Sequence, residues 1–230
     1  MATAMNFPQP QSGARVIRLI RPSVVVLCGP AACGKSSFAA KHFRPTQIVS
    51  SDRARALVCD DDRDQRFQTQ AFALVHFLIE QRLTLNRLCV VDSTALTQAA
   101  RKGLLDLARR FHVPAVVLLF DVPLATCVER DAQRERSVGQ AVIERQYELF
   151  VQARPLIRQE GFDQVVELSA QDMEEVQTEI AFRPVPRAMT AAAQPERRRF
   201  SPGPPRPDAE TKGTPPDPRG PSAPNARPTS

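Results

Sequence analysis

The chain is poor in aromatic residues and cysteines and has no long apolar run. It contains no tryptophan and one tyrosine, which disfavours a surface that stacks the bases of single-stranded nucleic acid. Its five cysteines are odd in number and form no C-x-x-C pair, so neither a disulfide framework nor a zinc site is indicated. No apolar run approaches the roughly 20 residues of a membrane span, and the first residues lack the order of a signal peptide. These absences favour a soluble, cytoplasmic protein that does not enter a membrane.

The excess of positive charge is confined to one end of the chain. The formal net charge is +6, and the segment from residue 183 onward carries nine cationic residues against four anionic ones, together with 13 of the 21 prolines. This segment has no apolar periodicity, which predicts a disordered Pro/Arg-rich tail over 181–230. We predict a flexible N-terminus over 1–13 and one folded domain over 14–180. Because that domain is nearly neutral, the high overall charge does not indicate a basic nucleic-acid-binding domain.

Short apolar runs alternate with helical patterns along the predicted domain. Runs of consecutive β-branched and apolar residues are typical of strands that are buried on both faces of a parallel sheet. The predicted strands are SVVVLC (23–28), QIVS (47–50), LCVVD (88–92), AVVLLFD (115–121) and QVVELS (164–169). The predicted helices cover 35–43, 66–85, 97–112 and 125–133. Alternation of strands and helices predicts a three-layer α/β fold with a parallel sheet of about five strands.

The segment GPAACGKS between the first predicted strand and the first predicted helix matches the phosphate-binding pattern G-x-x-x-x-G-K-[ST]. Glycines allow the backbone N–H groups to turn inward around an anion, and the helix N-terminus adds positive potential. This context predicts a P-loop NTPase fold that binds ATP and Mg²⁺. Lys35 is expected to contact the β- and γ-phosphates and Ser36 to bind Mg²⁺. The candidate nucleotide-binding residues are Gly29, Pro30, Ala31, Ala32, Cys33, Gly34, Lys35, Ser36 and Ser37.

Two aspartates follow predicted strands at the edge of the sheet where ligands of parallel α/β proteins bind. Asp92 ends the strand LCVVD and has the position of an acidic residue that holds Mg²⁺ in many P-loop proteins. Asp52 follows the strand QIVS and could orient a hydroxyl for attack on the γ-phosphate. An alternative is that each aspartate only caps the next helix.

Four segments of the chain resemble the 5′-hydroxyl kinase module of bacterial polynucleotide kinase–phosphatase, a P-loop kinase, and more distantly the phage polynucleotide kinase. The resemblance runs from about Val24 to Leu168, and its most specific part is VSSDxxR at 49–55. The other segments are the phosphate loop, LCVVDSTALTQAARKGLLDLAR and CVERDAQRER. This resemblance implies an ATP-dependent kinase that phosphorylates the 5′-hydroxyl end of DNA or RNA in nucleic-acid repair.

The same resemblance implies roles for individual residues. Lys35 and Ser36 hold ATP and Mg²⁺, Asp52 acts on the 5′-hydroxyl as general base or orienting group, and Arg55 helps to place the acceptor end. A helical lid carries arginines over the transferring phosphates, and Arg130 and Arg134 match these positions. Their spacing of i, i+4 predicts that they share one helix face. An alternative is an ordinary charged helix surface with ion pairs.

The chain departs from the family pattern at three points. The third lid arginine usually follows the first by seven residues, whereas Arg136 follows Arg130 by six, so its role is open. Ala95 replaces a residue that often has an amide side chain. The motifs G-D, G-N-H and D-x-D-x-T of a phosphatase module do not occur, so separate proteins would supply the phosphatase and the ligase in end repair.

The residues themselves leave other functions open. A kinase of the same fold could act on a small hydroxylated molecule, such as a sugar, an antibiotic or a nucleotide sugar. A non-catalytic ATP-binding switch is a third possibility. The acidic run CDDDRDQ at 59–65 is interpreted as a solvated loop with a helix cap rather than a metal site, because consecutive carboxylates point in different directions.

Overall fold

The structure is a computed structural model that describes residues 15–182. The predicted N-terminus (1–13) lies outside these residues, and so does the predicted tail beyond residue 182. The strands are β1 (Val16–Arg21), β2 (Val24–Cys28), β3 (Ile48–Ser50), β4 (Cys89–Asp92), β5 (Ala115–Phe120), β6 (Gln164–Leu168) and β7 (Gln177–Phe182). The α-helices are α1 (Lys35–His42), α2 (Ser51–Cys59), α3 (Gln68–Thr84), α4 (Gln98–Arg110), α5 (Leu124–Ala132), α6 (Gln140–Ile157) and α7 (Asp172–Glu175).

A five-stranded parallel sheet forms the centre of the fold, in the order β3-β4-β2-β5-β6. The five strands are those predicted from the apolar runs, so the predicted α/β fold class is confirmed. All residues of β2 and β5 are buried, as expected for central strands that are covered on both faces. Direct pairing of β2 with β4 places Leu27 opposite Asp92. The strand that leads into the phosphate loop therefore lies beside the strand that ends at Asp92.

Two hydrophobic clusters cover the two faces of this sheet. Alternate residues of β2 belong to different clusters, because successive side chains of a strand point to opposite faces. Val24 and Val26 pack with residues of α3 and α4, whereas Val25 and Leu27 pack with α1 and β1. Helix α6 contributes to both clusters, with Phe150 in the first and Ile143 in the second. The result is the expected three-layer arrangement.

Strands β1 and β7 form a second, two-stranded parallel sheet that the sequence analysis did not predict. The ladder pairs Val16 with Gln177 and Arg21 with Phe182. Strand β1 has the sequence VIRLIR, in which two apolar residues precede each arginine, and it buries Ile17 and Leu19. Since β7 runs to Phe182, the predicted domain end at residue 180 falls inside a strand.

Helices α2 and α6 were also absent from the prediction. Helix α2 follows β3 directly, because the Ser50 side chain accepts a hydrogen bond from the backbone N–H of Arg53 and caps the helix N-terminus. Helix α6 carries Pro155 in its last turn. No helix among the described residues is both long enough and apolar enough to cross a lipid bilayer.

Candidate active site

The phosphate loop turns sharply between β2 and α1, and two glycines make this turn possible. A Cβ atom at Gly29 would lie 2.9 Å from Cys33 Sγ and 3.1 Å from Phe120 Cβ, which leaves no room for a side chain. Gly34 has φ of 99°, a left-handed conformation that favours glycine. Ala32 also has positive φ, at 58°. Of the residues 29–37 that the motif predicts, 29–34 thus form one compact loop and 35–37 form the first turn of α1.

Lys35 is the first residue of α1 and is buried. Its ammonium group donates a hydrogen bond to the Pro30 carbonyl and approaches Cys33 Sγ at 3.5 Å. The side chain therefore folds back against the phosphate loop, and its contact with the phosphates stays a prediction.

Asp92 lies beside Ser36 and Lys35 at the carboxyl edge of the sheet. Burial raises the pKa of Asp92 above the usual value, and the nearby Asp52 carboxylate raises it further, whereas the Ser36 hydrogen bond, Lys35 and Arg134 oppose the shift. A hydroxyl and a carboxylate oxygen are the ligand types that Mg²⁺ prefers. The two side chains that the sequence assigned to the metal therefore lie near each other and are chemically suited to it.

Asp52 is in the first turn of α2, next to Asp92, and is held by Arg55. The Ser51 hydroxyl lies 3.4 Å from the Asp92 carbonyl, and the side chain of Asp52 is 73% exposed. Arg55 Nη1 donates to Asp52 Oδ1 at 2.9 Å, and the Arg55 side chain is only 5% exposed. A buried cation thus fixes a carboxylate that faces solvent.

Neither predicted aspartate caps the helix that follows it. The N-cap of α2 is Ser50, and the N-cap of α4 is Thr97, whose hydroxyl accepts from the backbone N–H of Ala100 at 3.3 Å. Capping therefore does not account for the carboxylate at position 52 or at position 92.

The lid arginines do not share a helix face, which corrects the expectation from their spacing. Arg130 is in the last turn of α5, but α5 ends at Ala132 and Arg134 lies in the turn beyond it. The helix stops because the buried Asp131 carboxylate accepts hydrogen bonds from Ser137 Oγ at 2.6 Å and from the Gly139 backbone N–H at 3.0 Å. These bonds fold the chain back on itself.

Both lid arginines nevertheless lie next to the phosphate loop. A Cβ atom at Gly34 would be 3.5 Å from Arg130 Nη1. Among the described residues, neither Arg130 nor Arg134 makes a salt bridge, unlike the ion-paired surface that was the alternative. They line a cavity of about 350 Å³ together with the phosphate loop, α1 and α7; its walls include Gly34, Ser37, Phe38 and Met173.

Arg136 points away from this cavity and binds the acidic loop. Its Nη1 atom donates to Asp62 Oδ2 at 2.6 Å. Within the same loop, Asp64 accepts from the backbone N–H of Arg66 and caps a short 3₁₀ turn, as the interpretation of a solvated loop with a helix cap predicted. The part of the chain that the structure describes contains no cluster of three or more ligating side chains suited to a metal ion.

Two residues near the site were missed in the sequence analysis. Gln146 of α6 accepts a hydrogen bond from the backbone N–H of Ala31 at 2.7 Å, so it contacts the phosphate loop from a distant part of the chain. Asp62 accepts through its carbonyl from Arg55 Nη1 at 2.6 Å. Neither residue belongs to a recognisable motif. For Gln146, the only signal in the sequence is the hydrophobic pattern of α6.

Ala95, where related sequences often carry an amide side chain, has a left-handed conformation with φ of 46°. This conformation is costly for alanine and is tolerated by asparagine. Here the buried Arg101 holds the loop, because its Nη1 atom donates to the carbonyls of Ala95 at 2.7 Å and Leu96 at 2.9 Å. In the same loop, the Thr94 carbonyl accepts a hydrogen bond from the Gly29 backbone N–H at 3.1 Å.

A parallel sheet, a glycine-lined phosphate loop and a following helix define a P-loop nucleotide-binding domain of the kinase type. A family model described as an AAA domain matches residues 24–154. This match spans more than half of the chain, so the chain belongs to that family. No curated protein matches the sequence significantly.

Several solved structures share the fold at low sequence identity. A chain of the Pnkp1/Rnl/Hen1 RNA repair complex is 18% identical with a TM-score of 0.50, over 59% of this chain and 46% of that chain. A gluconokinase from Sinorhizobium meliloti is 19% identical with a TM-score of 0.43, over 67% and 86%. Kti12 from Chaetomium thermophilum, in complex with ADP-AlF3, is 13% identical with a TM-score of 0.49, over 66% and 93%. The likeness to the chain of the RNA repair complex, at 18% identity, shows the fold alone.

Proposed function

We propose that this protein is an ATP-dependent polynucleotide 5′-hydroxyl kinase, which transfers the γ-phosphate of ATP to the 5′-hydroxyl end of DNA or RNA. The observation that carries this proposal is the exposed Asp52 carboxylate, which Arg55 orients beside the phosphate-binding residues. A carboxylate at this place can receive an acceptor from solvent while the nucleotide is held from the other side.

In the proposed reaction, the acceptor oxygen forms a bond to the γ-phosphorus as the bond from that phosphorus to the bridging oxygen of ADP breaks. Asp52 accepts the hydroxyl proton or holds the O–H group in line, and the leaving ADP retains the bonding electron pair. Lys35 and the loop amides hold the phosphates. Arg130 and Arg134 offset the charge that spreads over the transferred group, since phosphoryl transfer depends chiefly on positioning and electrostatic stabilisation.

Magnesium fits the donor set at Ser36 and Asp92, and when bound it would neutralise phosphate charge. The proximity of the two side chains supports this assignment, because one hydroxyl and one partly buried carboxylate lie close together near Lys35. Their task in the protein is to present these oxygens at the phosphate loop, next to the lysine ammonium group.

A second function is favoured by the charge of the acceptor side. The acidic loop lines a cavity of about 300 Å³ with Asp60, Asp61, Asp62, Arg63 and Arg136. Such a mixed, partly acidic surface is less suited to a polyanion than to a small polyhydroxylated or cationic molecule. Phosphorylation of a small hydroxylated acceptor is therefore the alternative.

The two functions are separated by acceptor competition. The full-length protein is incubated with γ-labelled ATP, Mg²⁺ and either 5′-hydroxyl oligonucleotides or a panel of sugars and amino sugars. The proposal predicts label at the oligonucleotide 5′ end, none on an oligonucleotide with a 5′-phosphate, and loss of label in Asp52→Asn. Label on a small molecule alone would establish the alternative. Nucleotide binding without label on any acceptor would indicate a non-catalytic switch.

A further inference from the structure

The lid and the acceptor side of the site are joined by the acidic loop, residues 60–64. Arg136 in the turn after α5 binds Asp62 Oδ2 at 2.6 Å, although the two residues are 74 positions apart. This is the arginine whose spacing departs from that of the lid arginines in related sequences. Its contact with Asp62 gives it a partner other than the phosphates.

Asp62 also reaches the acceptor carboxylate through its main chain. Its carbonyl accepts from Arg55 Nη1 at 2.6 Å, and the same Nη1 atom donates to Asp52 Oδ1 at 2.9 Å. One guanidinium nitrogen thus bridges Asp62 and Asp52. Because the Arg55 side chain is buried, its end of this bridge has few alternative geometries, although the Asp52 carboxylate is exposed.

The backbone of the acidic loop is itself constrained. Asp60 ends α2 in a left-handed conformation, with φ of 58°. Asp61 then accepts the Arg63 backbone N–H at 2.8 Å through its side chain, and its carbonyl lies 3.2 Å from Cys59 Sγ. These contacts hold the Asp62 carbonyl towards Arg55 while its side chain faces the lid. A displacement of the lid turn is therefore transmitted to the residue that supports Arg55.

We propose that Asp62 is a positioning residue, which couples the lid to the acceptor carboxylate. In this arrangement, closing of the lid over a bound nucleotide tightens the Arg136–Asp62 contact and steadies Arg55 and Asp52. In this proposal Asp62 acts through Arg55 and Arg136. The inference rests on the proposed function only in taking Asp52 as the residue that faces the acceptor.

The first test uses hydrogen exchange on the full-length protein and needs no acceptor. A non-hydrolysable ATP analogue is expected to slow exchange in the lid turn, 133–139, and in the acceptor segment, 52–62. In Asp62→Asn the protection of the lid turn should remain, and the protection of the acceptor segment should fall about two- to fivefold, which corresponds to one exposed ion pair. Arg63→Ala, an exposed residue of the same loop, is the matched control.

The second test is kinetic. Asp62→Asn and Arg136→Ala are each expected to raise the acceptor KM or lower kcat about two- to fivefold, with the ATP KM unchanged. The double variant should be no worse than either single variant, and the reversed pair Asp62→Arg with Arg136→Asp should recover part of the loss. A merely structural role would alter the ATP and acceptor parameters together, so the unchanged ATP KM is the readout that separates a positioning role from a structural one.

The outcomes separate this inference from the proposed function. Failure of the parent protein to label 5′-hydroxyl ends would reject the proposed function, while the exchange experiment would still decide whether the lid and the acceptor segment are coupled. If exchange in the acceptor segment of Asp62→Asn responds to the nucleotide analogue as it does in the parent, the coupling is rejected. Additive effects in the double variant would also reject it.

Discussion

The two halves of the candidate site are built in different ways. On the nucleotide side, buried strands and a backbone loop fix the geometry, and Lys35 and Cys33 are both buried. On the acceptor side, the side chains of Asp52 and Arg136 are exposed, and each is held by an ion pair, with Arg55 and Asp62 respectively. A backbone loop can bind only what fits its shape, whereas exposed side chains can be exchanged without loss of the fold. This difference explains why the nucleotide class follows from the fold and the acceptor class does not.

The largest expected effect tests whether the lid belongs to the nucleotide side. Replacing Arg130 with Ala should lower turnover on the order of 10³-fold, because an arginine that offsets transition-state charge contributes at least that much in P-loop enzymes. Arg130 makes no salt bridge among the described residues, so Tm should not change. Steady-state kinetics and thermal melts measure both quantities. Arg134→Ala should behave similarly, and Arg136→Ala should lose only a few-fold.

The same lid variants can also contradict the role assigned to these arginines. If Arg130→Ala and Arg134→Ala retain parental turnover, the two arginines are surface residues. The nucleotide side would then be limited to the phosphate loop, α1 and Asp92.

The next prediction concerns the buried ion pair that holds the loop at 95–96. Arg101 and Glu160 form a buried ion pair at 2.6 Å, with side chains 1% and 6% exposed. Replacing Arg101 with Ala leaves Glu160 uncompensated and removes two hydrogen bonds to the loop at 95–96, so we expect a loss of about 3–5 kcal/mol of unfolding free energy. Chemical denaturation measures this loss.

The neighbouring Lys102 provides the control for that variant. Its side chain is 69% exposed and pairs with Asp106 on the same helix, so Lys102→Ala should cost less than about 0.5 kcal/mol. Equal effects of the two substitutions would show that the buried pair does not support the loop.

A smaller effect is expected at Asp92, where one substitution should increase stability and decrease phosphate transfer. Since the folded state raises the pKa of Asp92, the folded protein holds this proton more tightly than the unfolded chain. Stability is therefore lost as the pH rises from the ordinary aspartate value, about 3.9, through the raised pKa. Asp92→Asn removes this cost and should increase stability at pH 7 by about 1.4 kcal/mol for each unit of the shift, while transfer decreases.

Thermal melts of parent and Asp92→Asn between about pH 4 and pH 7, roughly the range in which an aspartate with a raised pKa titrates, provide the measurement. The difference in Tm should grow with pH. A variant that is less stable than the parent at every pH would contradict the assigned cause of the shift.

The smallest expected effect concerns the segment beyond the described residues. Removal of residues 183–230 should leave turnover within a few-fold of the parent, because the proposed site residues lie between 29 and 134. The cut must follow Phe182, since β7 pairs with β1. Weaker, salt-sensitive binding of nucleic acid is the expected change, because the run ERRRF at 196–200 is densely cationic. Loss of ATP turnover would show that the tail belongs to the catalytic unit.

The sequence was sufficient for the features that depend on local patterns. Strands such as VVVLC are apolar at consecutive positions because both faces are buried, and the phosphate loop has a fixed spacing because its backbone geometry is fixed. Both features can therefore be predicted from the amino-acid sequence. The spacing of Asp52 and Asp92 after their strands likewise places them at one edge of the sheet.

Other features depend on long-range contacts and could not be predicted in this way. Strands β1 and β7 pair across some 160 positions, and no local pattern in either strand indicates its partner. The i, i+4 spacing of Arg130 and Arg134 suggested a common helix face, but Asp131 ends the helix between them by binding the backbone ahead. The Arg136–Asp62 contact joins two exposed segments that no periodicity connects.

The most direct test of the account is Asp52→Asn, because this residue separates the acceptor side from the nucleotide side. The variant should bind ATP with Mg²⁺ as tightly as the parent does in calorimetry, and should lose about 10²- to 10⁴-fold in transfer to a 5′-hydroxyl oligonucleotide. Lys35→Ala, in contrast, should lose both properties. Transfer by Asp52→Asn at nearly the parental rate would contradict the account, and so would a loss of ATP binding equal to that of Lys35→Ala.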